Sequence, residues 1–64
     1  MHEGKVEVWY SEAGQGCIRD DAGDGLDFSS DDLLNPDEAL TLHRGDRVRY
    51  RVEEGMHATA VEQA

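Results

Sequence analysis

Five carboxylates crowd the stretch from 20 to 31: Asp20, Asp21, Asp24, Asp27 and Asp31. Acids at this density, broken by Gly23 and Gly25, invite a calcium-loop reading. With Asp20 as position 1, Asp24 falls at 5, Gly25 at 6 and Asp31 at 12. The pattern fails where Ala22 offers no oxygen and where Asp27 stands in place of an apolar residue. Flanking helices are also missing. A solvated, turn-forming acidic edge accounts for the same residues. Cys17 is the single thiol; with no basic neighbour or nucleophile–base spacing, it reads as a small strand residue. His2, His43 and His57 are scattered without zinc spacing and read as surface side chains. No Gly-rich phosphate loop, triad motif or paired-carboxylate motif is present. The chain is expected to be non-enzymatic, without cofactor, metal or small-molecule substrate.

The remaining chemistry is cationic. Arg47, Arg49 and Arg51 share one side of a strand, with Arg44 just before it. Four of the 6 basic residues thus fall between 44 and 51. One reading is an anion or nucleic-acid patch. The other is cross-strand pairing with acids such as Glu3 and Glu7.

Charge narrows the partners. There are 15 acidic residues against 6 basic ones, a net charge of −9. Such a surface repels polyphosphate, whose binding depends on Lys and Arg displacing counterions. It suits solubility, a high-salt cytoplasm or a basic protein partner. Sixty-four residues allow one domain, 1–64, with a small core. A lone cysteine rules out an internal disulfide, and with no signal-like leader it fits a reducing, cytoplasmic setting. No apolar run approaches membrane-spanning length.

Elements with period two must position these residues. Val6, Val8 and Tyr10 alternate with Lys5, Glu7 and Trp9, which predicts a first strand. Gln15–Arg19 predicts a second, with Ile18 in the core. Leu26-Asp27-Phe28 predicts a third, after an Asp/Gly turn. Val48, Tyr50 and Val52 alternate with the arginines as a fourth. Ala58, Ala60 and Val61 mark a fifth. Between the third and fourth, residues 29–42 predict two short helical turns. Asn35-Pro36-Asp37-Glu38 supplies an N-cap, a proline at the first helical position and an acid three residues after the cap. Trp9 is read as partly buried over the core, with a protein-binding anchor as the alternative. Five short strands with one long link predict an all-β, five-stranded Greek-key barrel.

Gly4-Lys5-Val6, Ser11-Glu12, Gly14-x-Gly16-x-Ile18, Leu26-x-Phe28, Leu42-x-x-Gly45-x-x-Val48-x-Tyr50 and Ala58-x-x-Val61 occur in order. In these the chain resembles the cold-shock domain family over nearly its whole length. The resemblance implies an OB-type barrel that binds single-stranded RNA or DNA. It also implies which residues occupy the ligand face. The family's Lys-Trp-Phe corresponds to Glu7, Val8 and Trp9. Its lysine and two phenylalanines on the second strand correspond to Ala13, Gln15 and Cys17. Its Val-Phe-Val-His-Phe corresponds to Leu26, Asp27, Phe28, Ser29 and Ser30. A two-residue slip would put Phe28 on the ligand side; the gapless alignment keeps Leu26 and Phe28 in the core.

Stacking one base on an aromatic ring is worth roughly 1–3 kcal/mol. Losing about four platforms removes on the order of 4–12 kcal/mol, which takes a micromolar binder to roughly millimolar even at the low end. The expectation is a cold-shock-like module with a dismantled nucleic-acid face. Glu7, Val8, Trp9, Gln15, Cys17, Asp27, Ser29 and Ser30 would form that degenerate face and engage a basic protein. The alternative is an atypical, weak single-stranded nucleic-acid binder using Trp9, Tyr10, Arg44, Arg47, Arg49 and Arg51.

Overall fold

A computed structural model describes residues 2–64. Five strands form: β1 His2–Tyr10, β2 Gln15–Asp20, β3 Gly25–Ser29, β4 Arg47–Glu53 and β5 His57–Gln63. They close into a barrel in the order β1-β2-β3-β5-β4, with β4 returning to β1. Neighbours are antiparallel except β3 and β5, which run parallel and share one registered pair, Asp27 with His57. The protein is thus an all-β, closed five-stranded barrel, consistent with an OB-type barrel. Two 3₁₀ turns, Ser30–Asp32 and Pro36–Leu40, occupy the link between β3 and β4.

Alternation fills the interior from every strand. Val6, Ile18, Leu26, Phe28, Val48, Tyr50, Ala58 and Val61 form the core, closed over by Leu33 and Leu42 from the link. Leu26 and Phe28 point inward and Asp27 outward, as the gapless alignment requires. Strict alternation fails in two places, and both are bulges.

On β1, Val6 faces Ile18 but Val8 faces Cys17, so Glu7 is an extra residue. The bulge reverses the phase of the strand. Trp9 turns inward against the core, while Tyr10, expected on the side of Val6 and Val8, is 61 % exposed. On β5, Glu62 faces Arg49 and Thr59 faces Arg51, so two residues oppose one. Ala60 takes the strain with φ 51, a conformation that costs a residue with a Cβ roughly 1–2 kcal/mol. In return Ala58 and Val61, three apart, are both fully buried. Bulges bend a strand and increase its twist, which closing a barrel from few strands demands. Val52 lies past the second bulge and is 41 % exposed, so it does not extend the β4 core row.

The link also departs from expectation. Pro36 sits at the first position of its turn, but Asn35 makes no side-chain cap. The Glu38 carboxylate accepts instead from the Gln63 backbone N–H at 3.1 Å, tying the link to β5. The capping acid is used for tertiary attachment.

Tyr50 is fully buried, and its hydroxyl donates to the Glu3 carbonyl at 3.4 Å. Burial, with added pressure from Asp20 and Asp21, holds that hydroxyl above the ordinary tyrosine range. A raised value in the folded state means folding favours the protonated form. The stabilisation is complete below about pH 10 and is lost as pH rises through the folded value. Unfolding midpoints measured between about pH 8 and pH 12 are expected to fall at the alkaline end. Tyr50→Phe should flatten that fall.

Candidate functional site

The outer surface of β1, β2 and β3 is ordered in cross-strand rows. Val8, Cys17 and Asp27 form one row; Tyr10, Gln15 and Ser29 form the next. Together with His57 at the start of β5, they border an open depression of about 390 Å³, with the edges of Gly16 and Phe28 in its floor.

Beneath that floor lies the row Trp9, Gly16, Phe28. The Trp9 and Phe28 rings stack at 5.0 Å between centroids and 16° between planes. Only glycine permits this. A Cβ at position 16 would strike the Val8 carbonyl oxygen and come within 2.8 Å of Trp9 Cε3 and 3.2 Å of Phe28 Cε1. Trp9 Nε1–H donates to the Ala39 carbonyl at 2.9 Å. The one tryptophan is therefore partly buried against the core beneath the sheet, and its remaining surface lines a separate groove with Ser11, Glu12 and Ala13. The turn before β2 is closed by Gly14, whose N–H donates to the Tyr10 carbonyl at 2.8 Å with φ 67.

Five of the eight expected face residues come together here: Val8, Gln15, Cys17, Asp27 and Ser29. Three do not. Glu7, the bulge residue, pairs with Arg19 at 2.7 Å over a separate groove. The Arg19 guanidinium holds the Glu7 carboxyl below its usual range. Trp9 lies underneath. Ser30 begins the first 3₁₀ turn, its N–H donating to the Gly14 carbonyl. Tyr10 and His57 join the depression instead. Tyr10 arrives through the bulge and His57 through the parallel β3–β5 pairing; no local pattern marks either.

The polar groups differ in how far they are committed. Asp32 accepts from the Ser29 N–H at 2.9 Å and the Ser29 hydroxyl at 3.2 Å, and lies 3.0 Å from His57 Nε2. Asp27 is exposed; one of its oxygens accepts from the Cys17 thiol at 3.4 Å, a weak donor. Burial, and then that hydrogen bond, push the Cys17 thiol up, which disfavours the nucleophilic thiolate. No lysine or arginine lines the depression among the described residues. Nor do three or more of the described His, Cys, Asp and Glu gather so as to hold a metal ion.

Arg47, Arg49 and Arg51 lie on β4, with Arg44 before it, and the first two are partly neutralised. Arg47 sits between Glu3 at 3.0 Å and Asp21 at 3.3 Å; Arg49 lies 3.7 Å from Glu62. Glu3 is one of the acids expected to pair there, whereas Glu7 is taken by Arg19. Arg44 lies in the groove with Lys5 and Glu7, and Arg51 in another beside Leu34 and Glu53. Exposed pairs of this kind are worth about 0.2–1 kcal/mol each. Arg49→Glu, which sets a carboxylate opposite both Glu3 and Glu62, is expected to lower stability by at least that much. Denaturant titration checks it, and oligo(dT) binding should not change.

No known family model matches the chain, and no curated protein matches it. Among the described residues no helix is long and apolar enough to cross a membrane.

Proposed function

We propose that this protein is a non-enzymatic, cold-shock-like binding module whose nucleic-acid face has been dismantled, and that it docks a basic surface of a protein partner. One observation carries the reading. The depression over β1, β2 and β3 holds the Asp27 carboxylate, lacks lysine and arginine, and has Gln15 and Cys17 where the resembling family stacks bases. A site for a polyanion needs the opposite charge. The net charge of −9 extends the same preference to the whole surface. A cytoplasmic setting suits the free thiol.

The second reading, an atypical single-stranded nucleic-acid binder, draws support from Tyr10, exposed at the rim. Against it stand Trp9, committed beneath the sheet, and Arg47 and Arg49, committed to acids. A fluorescence titration with oligo(dT) at low salt separates the two. Binding weaker than about millimolar agrees with the loss of stacking platforms. Micromolar binding that weakens steeply with salt, and is lost when Arg47 and Arg49 are neutralised, replaces the first reading with the second. A pull-down from the native cytoplasm should retain its partner after nuclease treatment.

A further inference from the structure

From the depression's chemistry, and resting on the basic-partner reading above, we infer that its ligand is one lysine or arginine side chain presented by an extended peptide segment. Such a side chain is an apolar stem with a cationic head. The depression offers the matching sequence of surfaces. Val8 and the edge of Phe28 give an apolar floor, the exposed Tyr10 ring stands at one side, and Asp27 lies on the far strand.

Asp27 is the carboxylate that can take the head. Asp32, close by, already serves Ser29 and His57. Asp27 has one oxygen toward the weak Cys17 donor, and no donor among the described residues reaches the other. Exposed Gln15, beside Tyr10 in the same row, is placed to hydrogen-bond the segment's backbone with both its N–H₂ and its carbonyl. A single-stranded nucleic acid would find one ring for its bases here and no cation for its phosphates, which Asp27 repels. An acidic or neutral side chain would leave Asp27 without a counter-charge.

An amide-resolved NMR titration with the peptide acetyl-Ala-Ala-Lys-Ala-Ala-amide tests this. Saturating shifts are expected at Tyr10, Gln15, Cys17, Asp27 and His57. Binding should weaken about tenfold or more when the peptide lysine is acetylated, and again in Asp27→Asn, because each removes a charge-assisted hydrogen bond. Asp37→Asn changes net charge by the same amount away from the depression and should alter binding less than about twofold, as screening limits distant charges. Equal losses in the two variants, shifts spread along Asp20 to Asp24, or no saturation overturn the inference. Polylysine that still binds in those cases leaves the broader reading standing. Oligo(dT) shifting the same amides while neither the peptide nor polylysine does overturns both.

Discussion

Gln15→Phe, Cys17→Phe and Asp27→Phe introduced together are expected to give this protein oligo(dT) binding at least a hundredfold tighter than the parent. The three positions lie on adjoining strands, and Cys17 faces both Val8 and Asp27 in register. All three border the depression. Each new ring adds a stacking platform worth roughly 1–3 kcal/mol, so three supply about 3–9 kcal/mol. The low end alone is about a hundredfold. The variant also loses the Asp27 carboxylate, which removes one repulsion. The remaining acidic surface still opposes phosphate, so the salt dependence should be flat or inverted, unlike that of a basic binder. Fluorescence titration at two salt concentrations measures both properties. A variant that keeps its barrel, judged by an unchanged Trp9 emission maximum, yet binds no tighter would show that this surface is not a stacking face with its rings removed.

Phe28→Ala is expected to cost about 3–5 kcal/mol, the usual range for truncating a buried phenylalanine. A chain of 64 residues has about 3–10 kcal/mol of total stability to lose. The substitution therefore takes from a third of the stability to all of it. Phe28 is 2 % exposed, supports Trp9 from one side and lies against Gly16. Removing it opens the core and undoes the floor of the depression together. Trp9 is the only tryptophan, so its emission reports the event directly. A red shift at 25 °C, with a lowered urea midpoint, is the expected result. Tyr10→Ala, which removes a comparable ring at 61 % exposure, should stay within about 0.5 kcal/mol of the parent. Equal effects from the two would contradict the inward turn of Trp9 that the β1 bulge produces.

The legible parts of the sequence were those governed by local rules. Leu26-Asp27-Phe28 is too short and too regular to hold more than one phase, and it buries its two apolar residues as the pattern requires. Val48 and Tyr50 behave likewise between outward arginines. Pro36 begins a turn because its fixed φ and missing N–H suit that position. The acidic loop at 20–24 folds on itself, with Asp20 Oδ1 accepting from the Asp24 N–H at 2.8 Å. The outward placement of Gln15, Cys17 and Asp27 follows from the same alternation, so much of the candidate face was visible in advance.

Residues whose neighbours come from distant strands were not legible. Glu38 looked like a capping acid and reaches Gln63. Glu7 looked like part of the face and is held by Arg19. His57 looked isolated and arrives at the rim of the depression, because β5 pairs in parallel with β3. Two extra residues matter most. Nothing local distinguishes Glu7 or Ala60 from ordinary strand positions, yet each shifts the phase of its strand by one. Local side-chain chemistry was enough for the existence of five strands, their turns and an acidic surface, but not for the phase of β1 and β5 past their bulges. The partly buried place read for Trp9 holds, but the outward turn of Tyr10 and the arrival of His57 beside it come from the fold, since a closed barrel forces its strands to bend and the bulges that relieve the bend reset which side chains meet.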